Sequence, residues 1–156
     1  LRISIPAGEI TMGKLYELMP FDNTLFTIDL TGKQVIEVLE HGIKNQEVGD
    51  VQFSGIKVKY DASKPAGERV VEVLIADGSK LELDKTYKVV TNDFMGEGGD
   101  KFTTFKEGKN SVNTFKPVRD IFVEAIKKQQ TIDYKADDRL IIIEAQGSFI
   151  EYPEAA

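Results

Sequence analysis

The residues with the most chemical promise lie between Thr91 and Asp100, in the run Thr-Asn-Asp-Phe-Met-Gly-Glu-Gly-Gly-Asp. Gly96, Gly98 and Gly99 allow backbone conformations closed to other residues and let the main chain approach a ligand closely. The face of Phe94 suits stacking on a planar base, and the Asp100 carboxylate can accept hydrogen bonds from vicinal hydroxyls. Asn92, Gly98 and Gly99 join them as candidate binding residues. The same run also reads as a Gly-rich turn with Phe94 facing the core, and on residue types alone that is slightly the better reading. It fits neither the dinucleotide fingerprint nor a phosphate loop ending in Lys-Ser/Thr.

Four further places carry weaker signals. Phe21 lies in the turn Pro20-Phe21-Asp22-Asn23, where neither a strand nor a helix face needs an aromatic. Taken alone it reads as a core plug; opposed to Phe94 it would complete a slot for a planar base. Arg2 can bind an anion through a bidentate guanidinium or simply be solvated. His41, near the end of an expected helix, reads as a surface cap rather than a catalytic base. Asp137-Asp138-Arg139 is a charged turn before a strand. No Ser/His/Asp arrangement is visible, and no catalytic residue is assigned.

Composition narrows the partners. Lys and Arg number 20 against 26 Asp and Glu, a formal charge of −6. Nucleic acid is thereby disfavoured, because its binding rests on basic patches. The absence of Cys rules out thiolate metal sites, and with a single His a metal site in this chain would need oxygen ligands almost throughout. No cofactor is assigned. No apolar run approaches the roughly 20 residues of a membrane span. The chain opens on Leu1-Arg2-Ile3 without an initiator Met and reads as an excised fragment.

The elements that must position these residues follow from periodicity. Thr11 to Met19 is an expected helix stopped by Pro20, and Thr24 to Leu30 alternates as a strand. Thr31-Gly32-Lys33-Gln34 has the form of a capping box, followed by a stripe of Val35, Ile36, Leu39 and Ile43 that ends near Gly42. Val51–Phe53, Ile56–Tyr60, Arg69–Ala76 and Tyr87–Thr91 are expected strands, with Lys80–Leu83 a short addition. A loop is expected from Asn92 to about Asp100. A helix from about Pro117 to Lys128 should turn Val118, Ile121, Phe122, Ala125 and Ile126 inward, and Arg139 to Glu144 should form a last buried strand. The sum is one α+β domain over residues 1–145, a mixed or antiparallel sheet with helices packed on it, and a tail or linker over 146–156.

Six stretches in order resemble the C-terminal domain of the 5'-nucleotidase family. They are residues 1–11, Leu-Met-Pro-Phe-Asp-Asn at 18–23, Asp-Leu-Thr-Gly-Lys-Gln-Val at 29–35, Val-Gln-Phe-Ser-Gly at 51–55, Tyr-Lys-Val-Val at 87–90 and residues 92–102. The resemblance implies that Phe21 and Phe94 clamp a nucleobase, that Asp100 holds the ribose hydroxyls, and that Arg2 helps bind near the phosphate. It implies a second, N-terminal metallophosphatase domain of the same polypeptide with two divalent metal ions, whose Asp-x-His, Gly-Asn-His and Gly-His signatures do not occur in these residues. The parent would be a secreted, periplasmic or wall-associated hydrolase of nucleoside 5'-monophosphates, and this domain would rotate to deliver substrate to the metals. A UDP-sugar hydrolase, a 2',3'-cyclic-nucleotide phosphodiesterase/3'-nucleotidase and a non-catalytic nucleoside-binding module stand as alternatives.

Overall fold

The computed structural model describes residues 3–43, 51–135 and 137–143, so Arg2 and the expected tail over 146–156 lie outside the described residues. The first ordered element is α1, Met12–Leu18, with the Thr11 side chain capping its first turn. Strand β1, Thr24–Thr31, turns Phe26, Ile28 and Leu30 inward, as its alternation demands. Thr31 closes β1 and also caps α2, Gly32–Gly42. The capping box is complete: Gln34 N–H donates to Thr31 Oγ1 at 3.3 Å, and Thr31 N–H donates to Gln34 Oε1 at 2.9 Å. Strand becomes helix within one residue because both orphan amides there find side-chain oxygens.

Strands β2 (Ile56–Asp61), β3 (Val70–Ile75) and β4 (Thr86–Asn92) follow. A four-residue helix α3, Asp93–Gly96, and two short 3-10 turns, Gly99–Lys101 and Thr103–Glu107, then lead to β5, Lys109–Pro117. Helix α4 spans Val118–Gln129, and β6, Leu140–Ile143, ends the described chain. Among the described residues the strands form two three-stranded sheets rather than one. The first has the order β4-β1-β5 and is antiparallel; in the second, β3-β2-β6, β6 runs parallel to β2. Val51–Phe53 forms no strand, and Lys80–Leu83 contributes only a single bridge from Lys80 to Leu74.

Among the described residues the core centres on two apolar clusters with α2 wedged between them, and Leu15 and Leu18 of α1 are buried apart from both. One gathers Phe26, Ile28 and Leu30 with Phe102 and Phe105; the other gathers Leu39, Ile43, Val58, Tyr60 and Val73. Val35 packs against both, so the stripe of α2 couples the two sheets. Helix α4 departs from its expected orientation. Phe122 and Ala125 are exposed, and the buried side chain of the helix is Arg119. Val118, Ile121 and Ile126 of the expected stripe are half-buried, while Arg119 finds its partners in the turn after α1.

Candidate functional site

Register carries the candidate aromatics to one end of the first sheet. Leu25 pairs with Asn92 in the β1–β4 ladder. The pairing continues one step through side chains: the Asp93 carboxylate accepts from the Thr24 N–H at 3.1 Å and from the Thr24 hydroxyl at 2.9 Å. Thr24 Oγ1 also lies 2.7 Å from Asn113 Oδ1 on β5. Thr24 on β1 thus meets both the start of α3, directly after β4, and β5 at the end from which Phe21 and Phe94 leave. Phe21 is 59% exposed and Phe94 49%, which rules out the core-plug reading for both.

The turn bearing Phe21 is clasped from outside. Arg119 donates to Met19 O at 2.9 Å and pairs with the Asp22 carboxylate, so one guanidinium brackets Pro20 and Phe21. Its guanidinium carbon lies over the Tyr16 ring, 4.0 Å from the centroid, so α1 and α4 close around the same cation. Val118 N–H donates to Asn23 O at 2.9 Å and fixes the other side of the turn. Sequence reasoning missed Arg119; the only signal was a charged residue two positions after Pro117, amid a helix otherwise read by its apolar positions.

The expected loop from Asn92 to Asp100 is in fact a short helix and a tight corner. Asn92 Oδ1 accepts from Met95 N–H at 2.8 Å, so its carboxamide oxygen serves as the cap of α3. The Asp93 carboxylate, one residue on, anchors Thr24. Gly98 has φ +86°, a left-handed conformation that lets the chain reverse after α3. Gly99 lies under Phe94: a Cβ there would stand 2.5 Å from both the ring and the carbonyl oxygen of Phe94. Asp100 and Lys101 follow with φ of 49° and 65°, two successive left-handed residues. The Asp100 side chain is exposed, and its carbonyl oxygen lies 2.8 Å from Nε2 of His41, in the last turn of α2. The His41 ring meets Phe102 edge-on at 4.4 Å.

The structure therefore groups Phe94, Gly98, Gly99 and Asp100 in one corner and brings Phe21 to the same sheet end. Arg2 falls outside the described residues. Among the described residues no three His, Asp or Glu side chains converge on a metal position. A separate apolar groove of about 1100 Å³ runs along the β4 edge, between residues such as Leu39, Phe53, Ile56, Val89 and Met95. None of Phe21, Phe94 and Asp100 lines it. Asp137-Asp138-Arg139 is the charged turn expected, with Arg139 Nε 2.7 Å from Asp137 and Lys57 2.7 Å from Asp138.

Comparison with known proteins adds a second line. Residues 1–107 match the family model for the 5'-nucleotidase C-terminal domain. The chain is 40% identical over 135 residues to the trifunctional nucleotide phosphoesterase protein YfkN of Bacillus subtilis (strain 168), covering 82% of this chain and 9% of that one. It is 32% identical over 148 residues to the cell wall protein Lmo0130 of Listeria monocytogenes, covering 94% of this chain and 18% of the other. The crystal structure of a 5'-nucleotidase precursor from Thermus thermophilus superposes with a TM-score of 0.86 at 39% identity, covering 91% of this chain and 29% of that one. The chain spans less than a third of each of these relatives.

Proposed function

Because this chain belongs to the family of 5'-nucleotidase C-terminal domains, we propose that it is the substrate-binding domain of a secreted, metal-dependent 5'-nucleotidase and holds the nucleoside of the substrate. The observation that carries the reading is the pair of half-exposed phenylalanines leaving one sheet end beside the Gly98–Asp100 corner. Aromatic faces in water invite a planar partner, and a base inserted between Phe21 and Phe94 would cover apolar surface on both sides. Asp100, exposed at the corner, would accept hydrogen bonds from the two ribose hydroxyls. Arg2 would meet the phosphate in the manner of a bidentate guanidinium.

Asn92 contributes by building α3 rather than through its capped oxygen. Gly98 and Gly99 contribute through backbone shape. Hydrolysis of the phosphate ester falls to the N-terminal metallophosphatase domain of the same polypeptide, where two divalent metals would activate the attacking water. The chain by itself is an expected non-hydrolase. An extracellular or wall-associated setting is supported by the similarity to a cell wall protein.

The reading is tested by titrating millimolar adenosine, AMP and, as control, glucose into the chain, followed by amide NMR. Stacking is worth about 1–3 kcal/mol per base, so binding should be weak and fast-exchanging. Shifts are expected at Phe21, Phe94 and Gly98–Asp100 with both nucleoside ligands, and Phe94→Ala should abolish them. Adenosine shifts that persist unchanged in Phe94→Ala, or that fall on the apolar groove instead, would overturn the proposed slot.

A further inference from the structure

We infer that His41 is a positioning residue for Asp100, an inference that rests on the ribose role proposed above. A carbonyl oxygen can only accept, so the 2.8 Å contact between His41 Nε2 and Asp100 O requires the proton to be on Nε2. That N–H holds the peptide between Asp100 and Lys101, the junction of two left-handed residues. Aspartate tolerates this conformation better than most residues, but Lys101 does not, and two in succession need an external tie. The tie is itself anchored. His41 sits in the last turn of α2, and its ring stands edge-on, at 85°, to the ring of Phe102, which is buried in the first core cluster.

The geometry has a direct consequence for the carboxylate. Holding the Asp100 carbonyl keeps the Asp100 backbone in its left-handed conformation, with φ 49°, and so fixes the point from which the exposed side chain leaves the corner. The residue thus acts on the sugar through Asp100 and should leave the base slot unaffected.

The experiment compares adenosine with 2',3'-dideoxyadenosine in the intact chain, wild type, His41→Phe and His41→Gln, by NMR titration. Phenylalanine keeps a ring against Phe102 and removes the donor; glutamine restores an N–H of similar reach. Wild type should prefer adenosine by roughly tenfold or more, as expected of charge-assisted hydrogen bonds to a carboxylate. His41→Phe should lower that preference by roughly two- to tenfold, the span of one net hydrogen bond, with dideoxyadenosine affinity unchanged. His41→Gln should recover most of it. An equal loss for both ligands, or an undiminished preference in His41→Phe, overturns the role of His41 while leaving the nucleoside slot standing. A wild type that binds the two ligands equally overturns the ribose reading of Asp100 and this inference with it.

Discussion

Replacing Gly99 by alanine is the sharpest single perturbation of the Phe94 corner. The added Cβ would lie 2.5 Å from Cε1 and 2.6 Å from Cδ1 of the Phe94 ring, and 2.5 Å from the Phe94 carbonyl oxygen. Carbon atoms in contact rest about 3.5–4.0 Å apart, so roughly 1 Å of movement is needed. The half-exposed ring can swing away. The carbonyl cannot do so alone, because it belongs to α3, whose first turn is capped by Asn92 and whose start is fixed to Thr24 through Asp93. Overpacking of this kind costs about 1–3 kcal/mol. For a chain of this size that is a fall of roughly 2–12 °C in melting temperature.

Gly98→Ala is the matched control. Its Cβ would meet the stem of Lys106 at 2.6 Å, which is flexible and can yield, so its cost comes from φ +86° instead. Both variants are destabilised, but only Gly99→Ala displaces Phe94. Thermal melts and adenosine titrations of the two variants should therefore separate: comparable melts, with adenosine shifts at Phe94 lost in Gly99→Ala alone. A Gly99→Ala protein that melts like wild type, or that binds adenosine as wild type does, refutes the steric reasoning.

Two further predictions concern the supports of the site and the sheet. Arg119→Met should destabilise the chain by about 1.5–3 kcal/mol, the range for hydrogen bonds to charged groups, with amide shifts spreading over Met19–Asn23; Arg119→Lys should recover only part, since one ammonium cannot bracket the turn. Stability is read by denaturant melts, and unchanged amide shifts at Phe21 in Arg119→Met would refute the clasp. Asp29 is the second case: its hydrogen bond to Lys88, then that to Asn110, holds its pKa below the ordinary carboxylate value. A lowered folded pKa gives stability that is present above the unfolded value, about 3.9, and is lost as pH falls through the folded one. The melting difference between wild type and Asp29→Asn should therefore be present at pH 7 and vanish toward pH 2, and it should shrink in high salt because Lys88 is largely exposed. A difference that grows on acidification contradicts the sign.

How much of this was legible in the sequence depends on how local the cause was. The capping box at Thr31 and Gln34, the alternation of β1 and the stripe of α2 were readable because each is decided within a few residues. Strand β5 was not anticipated: its run Lys-Asn-Ser-Val-Asn-Thr-Phe-Lys-Pro lies at a sheet edge, Phe115 in it is 79% exposed, and pairing with β1 holds it without an apolar face. The strand at Val51–Phe53 was overread, since its apolar residues serve packing, with Val51 set against Gly42. Helix α4 misled through the same habit of turning apolar residues inward, while its buried contact is a cation whose partners lie far back in the chain. The candidate site shows the same division. Phe21, Phe94 and Asp100 stood out by type and by family resemblance, but Arg119 and His41 act through contacts of long sequence separation that no local pattern encodes.

In both sheets the middle strand comes first in the chain: β1 precedes its neighbours β4 and β5, and β2 precedes β3 and β6. A ribosome therefore delivers each central strand before the partners that flank it, and well before the second of them. Phe26, Ile28 and Leu30 wait for Lys109–Pro117, and Val58 and Tyr60 wait for Leu140–Ile143, before both edges of their strands are taken. Pairings of such separation form slowly, because the intervening chain must close first. Until its second partner is made, each central strand keeps an open edge, the surface on which chains associate wrongly. The first sheet has all its strands once Pro117 is made, but the second waits for its last described strand, and termination of synthesis shortly before residue 140 should leave β2 with an open edge and the chain prone to aggregate.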